Sequence, residues 1–144
     1  MPLYANARDT LCANLREIQT GNKVKAVPIG TLTAAQLAAI NVNRAAQGLN
    51  PIIAEVVFVG GHIYKSRVLR DGYTIEDVID QISSAMDCDA EVLRTQKMTA
   101  MENPNPRADR YGNRVTDRVI FECSTRHPRP ELFSVQPKGD FIKP

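Results

Sequence analysis

Residues 71–86 have the sequence DGYTIEDVIDQISSAM, which is the clearest helix signal in the chain. Asp71-Gly72 is typical of a turn, and Thr74 is suited to cap a helix that starts at the next residue, with Tyr73 stapled onto Val78. The apolar positions recur at three- and four-residue spacing, as expected for one buried helical stripe. They are Ile75, Val78, Ile79, Ile82 and Met86.

Towards the N-terminus, the same capping and periodicity rules predict two more helices, over residues 7–20 and 34–47. A β-branched and aromatic segment, 52–59, then runs into Gly60-Gly61, a dipeptide typical of a tight hairpin turn. Residues 62–69 would be the partner strand. In that register one face of the hairpin presents His62, with Tyr64 and Ser66 beside it, and Arg67 points to the other face.

Beyond the third helix, three segments with strand character alternate with turn-rich loops. They cover residues 90–101, 115–124 and 131–136. The sequence therefore predicts an α+β fold with two N-terminal helices, a β-hairpin, a third helix and a C-terminal antiparallel meander, which together form one antiparallel sheet. A chain of 144 residues is expected to fold as a single globular domain over 1–144.

Composition limits the class of protein. The N-terminus lacks an export signal and no apolar run is long enough to cross a bilayer, so we expect a cytoplasmic protein without membrane contact. Three widely spaced cysteines, Cys12, Cys88 and Cys123, indicate free thiols in the core. The formal net charge of +2 is small for a nucleic-acid binder, although the basic residues concentrate in the C-terminal third.

Known catalytic and cofactor motifs are weakly represented. The sequence has no closely spaced Cys or His pair of the zinc-binding type, no phosphate-binding glycine loop and no nucleophile elbow. We therefore expect no metal and no cofactor. The chemistry that the residues allow is metal-independent phosphodiester cleavage, which needs a proton acceptor, a proton donor and fixed positive charge.

The candidate catalytic set for that reaction is His62, Tyr64, Ser66 and Arg67. Because Arg67 would point away from His62 in the predicted hairpin, the supporting cation can instead come from Arg107, Arg110 or Arg118. The structural alternative is that His62 begins a strand and hydrogen-bonds to a neighbouring loop.

Residues 102–114 form a long polar loop that contains Arg107, Arg110 and Tyr111, and Arg118 follows it in the next predicted strand. Arginine and tyrosine are common in anion sites and in interface hot spots. These four residues are candidates for binding an anion or a partner, and the alternative is a solvated loop with weak ion pairs. A second loop, 125–130, contains His127, which we interpret as part of a rigid connector.

Three phrases resemble uncharacterised proteins of proteobacterial prophages and integrative mobile elements: FVGGHIYKSR (58–67), DGYTIED (71–77) and PELFSVQPKGD (130–140). The order of elements is also similar to that of the barnase, EndoU, colicin and RelE group of small metal-independent RNases. The first resemblance implies a mobile-element accessory protein that binds a protein or nucleic-acid partner without catalysis. The second implies a metal-independent nuclease or phosphodiesterase acting on RNA.

Overall fold

A computed structural model describes residues 2–87, 92–94, 98–123 and 129–138. Its helices are α1 (Ala7–Gln19), α2 (Ala34–Ala46), α3 (Gly61–Ile63), a π-helix (Tyr64–Arg70) that continues α3 directly, and α4 (Ile75–Met86). Its strands are β1 (Val27–Thr31), β2 (Glu55–Phe58), β3 (Val92–Arg94), β4 (Met98–Glu102), β5 (Arg107–Ala108), β6 (Arg114–Glu122) and β7 (Glu131–Lys138). The predicted α+β class is confirmed.

The three long helices begin where the sequence predicts. In α4 the Thr74 hydroxyl accepts a hydrogen bond from the backbone N–H of Asp77, and the Asp77 carboxylate accepts one from the N–H of Thr74. Thr33 and Gln36 make the same reciprocal cap at the start of α2. Such a cap satisfies N–H groups that have no partner inside the helix, so it fixes the first residue of each helix.

The sheet has the order β1-β2-β7-β6-β4-β3, with β5 paired to the edge of β6 near its start. Strands β2 and β7 run parallel, and the other pairs are antiparallel. The predicted all-antiparallel sheet is therefore wrong, because the sheet is mixed. Strand β1, between α1 and α2, was not predicted; it contains Pro28 and Gly30, which weaken a strand signal.

The hairpin predicted around Gly60-Gly61 is also wrong. Residues 62–69 are helical, and neither glycine has the positive φ that a tight hairpin turn requires. Strand β2 does exist, but its two edges are taken by β1 and β7. Gly60 is needed for close packing, since a Cβ there would lie 2.8 Å from the side-chain oxygen of Asn14 and 2.9 Å from Leu15.

A β-bulge in β7 positions Phe133. Ile120 of β6 pairs with Ser134 and Phe121 pairs with Leu132, which leaves Phe133 as an extra residue without a partner position. The bulge allows both Leu132 and Val135 to be buried in the core. It leaves the side chain of Phe133 half-exposed on the side of the molecule where α3 lies.

Helices α1 and α4 pack together, and α4 lies against one face of β6. That face carries Val115, Asp117, Val119 and Phe121, all buried, while the alternate residues of β6 are more exposed. The predicted strand over 90–101 is two strands, β3 and β4, which pair with each other. Cys12 and Cys123 are free and pack partly buried against the core.

Cys88, His127 and most of the 125–130 loop lie outside the described residues. Within the part of the chain that the structure describes, no helix combines the length and the apolar character needed to cross a bilayer.

Candidate functional site

One side of the helical segment 61–70 forms an open, shallow pocket that we call the His62 face. It is lined by His62, Lys65, Ser66, Leu69 and Arg70. The α3 and π-helical backbone brings these residues to one side, whereas in the predicted hairpin they would have alternated between two faces. Short π-helical segments are uncommon and occur frequently at functional sites.

The catalytic set predicted from the sequence does not come together on this face. His62 and Ser66 both line the pocket, but Tyr64 and Arg67 do not. Tyr64 is buried and belongs to the hydrophobic core. Arg67 is mostly buried, and its guanidinium forms an ion pair with Asp71. Burial lowers the pKa of Arg67, and the Asp71 carboxylate opposes that effect.

His62 is held by an aromatic stack. Its ring lies on the ring of Phe133 with centroids 4.3 Å apart and an angle of 11° between the planes. Stacked aromatic pairs contribute roughly 0.5–1.5 kcal/mol beyond the area that they bury. The bulge in β7 and the start of α3 therefore fix the imidazole at one end of the His62 face.

The His62 face carries positive charge next to an apolar side chain. Lys65 is exposed and forms no ion pair within the described residues. Arg70 pairs with Asp71 at 3.0 Å, and the same carboxylate also pairs with Arg67, so one negative charge serves two cations. Leu69 is 65% exposed, among the most exposed large apolar residues described.

In the second candidate group, Arg110 and Tyr111 of the 103–113 loop, which joins β4 to β6, contact α4 while they stay partly exposed. The Arg110 guanidinium donates to the Asp77 carboxylate, with Nε 2.6 Å from Oδ1, and the Tyr111 hydroxyl donates to the same carboxylate at 2.7 Å. The guanidinium also lies 4.5 Å from the centre of the Tyr111 ring. Asp77 thus caps α4 and holds the 103–113 loop against it.

These contacts change the pKa of the Asp77 carboxyl. Its burial acts to raise the pKa, but hydrogen bonds from Arg110, Thr74 and Tyr111 outweigh burial and lower the pKa below its ordinary value. The carboxylate is therefore ionised at neutral pH and remains bound to its donors.

The other two predicted binding arginines are also paired within the chain. Arg107 donates from Nε to Asp117 at 2.6 Å, and the Asp117 side chain is fully buried. Arg118 pairs with Glu102 at 3.1 Å and lies on the opposite face of β6 from Asp117. The predicted set Arg107, Arg110, Tyr111 and Arg118 is thus divided between two faces of the sheet.

Residues that were not predicted as site residues organise both regions. Asp117 alternates with Val115 and Val119, so the sequence pattern places it on the buried face of the strand. A buried carboxylate needs a cation, and this pattern could have indicated the pair with an arginine. Lys65 and Leu69 were assigned to a strand, so their common helical side was not visible. No sequence pattern near Phe133 indicates its contact with His62, because the two residues are far apart in sequence.

The two regions line separate pockets that share no residue. Among the described residues, no group of three or more His, Cys, Asp and Glu side chains could hold a metal ion. On the His62 face an imidazole and a hydroxyl lie with cationic and apolar side chains, and no described carboxylate lines that pocket. The arrangement is suited to binding, and it contains one possible proton-transfer group, His62.

No protein-family model, curated protein or solved structure matches this chain. The geometry of the chain's own residues therefore carries the functional proposal.

Proposed function

We propose that this chain is a non-catalytic accessory protein of a mobile element, and that it binds a protein partner through the His62 face. One observation carries the proposal. The exposed Leu69 lies in the same open pocket as Lys65, Arg70 and the imidazole of His62. An exposed apolar side chain beside two cations and an aromatic stack offers a partner both an apolar contact and charge pairs on one face.

The partner that fits this surface presents an apolar side chain flanked by carboxylates. Leu69 offers the apolar contact, and burying it removes apolar surface from water. Lys65 can pair with an incoming carboxylate without breaking a described ion pair, and Arg70 shares Asp71 with Arg67. Charge complementarity of this kind favours the rate and the specificity of association.

A protein partner fits better than a nucleic acid. The formal net charge is only +2, and nucleic-acid binding normally depends on several free cations that contact phosphates. Arg107, Arg110 and Arg118 each form an ion pair with a carboxylate of the chain itself. The resemblance of three phrases to prophage and integrative-element proteins supports the mobile-element setting.

Site-specific photo-cross-linking tests the surface. A photoreactive residue replaces Leu69 in one variant and Val42 in a control variant, because Val42 is 69% exposed on α2. In the cells from which the gene comes, we expect a protein adduct from position 69 that is absent from position 42. Adding Lys65→Glu should reduce the adduct. An equal yield from both positions would overturn the proposal.

A second candidate function, metal-independent RNA cleavage, rests on one observation. His62 and Ser66 line the same pocket as Lys65 and Arg70, which places a proton-transfer group near positive charge. The protein incubated with RNA and excess chelator tests this candidate, with His62→Gln as the variant that must lose cleavage. If RNA stays intact with the wild-type protein, RNA cleavage is ruled out as its function.

A further inference from the structure

The outer edge of β1 is covered by a short segment, residues 2–4, which we call the strap. Strand β1 stands at one end of the sheet order, and the strap lies on its side away from β2. The Thr31 N–H donates to the carbonyl oxygen of Pro2 at 2.8 Å, and the Tyr4 N–H donates to that of Ile29 at 3.0 Å. The strap thus satisfies a donor and an acceptor of the edge strand.

Gly30 allows the strap to approach β1 closely. It pairs with Leu3 in an antiparallel bridge between the two hydrogen bonds. A Cβ at Gly30 would lie 2.4 Å from the carbonyl oxygen of Pro2 and 3.0 Å from the Cα atom of Leu3, so a side chain here would displace the strap. The Leu3 side chain packs against the core, and the Tyr4 hydroxyl lies 2.9 Å from Thr31 Oγ1. These contacts hold the strap on the edge.

Without the strap, the edge of β1 would be able to pair with another chain, because an edge strand presents free N–H and C=O groups. This edge is complementary to itself. With Gly30 opposite Gly30 of a second copy in an antiparallel pair, the Thr31 N–H of each copy would donate to the Ile29 oxygen of the other. The strap occupies these same two groups. Two facing glycines also allow the two backbones to approach closely.

We propose that the edge of β1 is a latent interface between two copies of this chain, and that the strap prevents this interface from forming. Pairing centred on Gly30 is two-fold symmetric, so it ends at a dimer. Pro28 confines the pairing to the 29–31 part of β1, because proline has no N–H to donate. None of the residues in this contact lines the His62 face, so the two surfaces can be tested separately.

A variant that lacks residues 2–4 tests the interface. Its weight-average mass, measured by analytical ultracentrifugation, should rise with protein concentration towards twice that of the full chain. The mass of the full chain should stay constant over the same range of concentration. Leu3→Asp in the full chain should give a smaller rise, because it removes the apolar contact that the strap makes with the core.

Thr31→Pro in the variant that lacks residues 2–4 is the second arm. It removes the N–H that each copy would donate, so the mass should return to that of the full chain. Thr31→Val is the matched control, because it keeps the N–H and should leave the association unchanged. Equal masses for the shortened and the full chain, or association that Thr31→Pro does not reverse, would overturn the proposal. Association of a misfolded chain would give the second of these results.

Discussion

The imidazole of His62 lies almost parallel to the ring of Phe133, with ring centroids 4.3 Å apart. This contact joins the first turn of the 61–70 helical segment to a bulge in the seventh strand. It fixes one end of the surface that we propose binds a partner.

The stacking of His62 on Phe133 should be visible in the NMR signals of the imidazole, and Phe133→Leu should change them. Protons of the His62 ring lie over the face of the phenyl group, so their ¹H NMR signals should be shifted upfield in the wild type and return towards ordinary values in the variant. We expect a stability loss of about 1 kcal/mol from the lost stacking. Imidazole signals that are unchanged by the substitution would show that the rings do not stack in solution.

Alanine substitutions at the adjacent residues Gly60 and Gly61 should have opposite effects on stability. At Gly61 an added Cβ meets nothing within 4 Å and the residue begins a helix, so Gly61→Ala should stabilise the protein by about 0.5–1 kcal/mol. At Gly60 the Cβ would contact Asn14, Leu15 and Phe58 at less than 3.0 Å, so Gly60→Ala should destabilise it.

Urea unfolding of both variants provides the measurement. Destabilisation by Gly61→Ala would support a positive-φ turn at this dipeptide and would contradict the helical assignment.

This comparison also shows why the hairpin prediction failed. A glycine pair between β-branched segments has the same local signature whether it forms a turn or a close packing contact. What distinguishes them is the fit of Gly60 against Leu15 and Asn14, which are far away in sequence. The caps at Thr33 and Thr74, by contrast, involve residues three positions apart, and these were predicted correctly.

The two arginine ion pairs of β6, with Asp117 and with Glu102, should contribute unequally to the stability of the protein. Arg107→Ala leaves the fully buried Asp117 carboxylate without its cation, and we expect a loss of about 3 kcal/mol. Arg118→Ala breaks the pair with Glu102, whose carboxylate keeps some contact with solvent, and should cost less, about 1 kcal/mol. Chemical denaturation at neutral pH measures both values. Similar losses from the two variants would mean that Asp117 is not buried as described.

The sequence identified Arg107 and Arg110 as candidates but not their partners. Asp77 lies 33 positions before Arg110, and only the packing of the 103–113 loop onto α4 brings them together. The charged residues of the loop and their spacing are visible in the local sequence, whereas the contact of Arg110 with Asp77 depends on how the loop packs onto α4. A binding function was therefore assigned to side chains that the fold uses for its own ion pairs.

Asp77 should make stability depend on pH. Because its pKa is lowered in the folded state, its stabilising contribution is complete above the unfolded pKa, near 4, and disappears as the pH falls through the folded value. Asp77→Asn should cost about 1–3 kcal/mol at pH 7, and the difference from wild type should shrink below about pH 4.

Denaturation midpoints measured from pH 7 to pH 2.5 test this dependence. Asp80→Asn is the control, since Asp80 is exposed and pairs only with Arg8 among the described residues. A wild-type-to-Asp77→Asn difference that stays constant across this range would contradict the proposed role of Asp77.

The most direct test of the binding surface is quantitative co-purification with tagged wild-type, Leu69→Asp and Val42→Asp proteins. Both substitutions place a charge at a similarly exposed apolar position, and only Leu69 lies on the His62 face. If the His62 face binds a protein, at least one protein should be retained by the wild type and by Val42→Asp and strongly depleted with Leu69→Asp. An identical set of proteins, in equal amounts, from all three would contradict it.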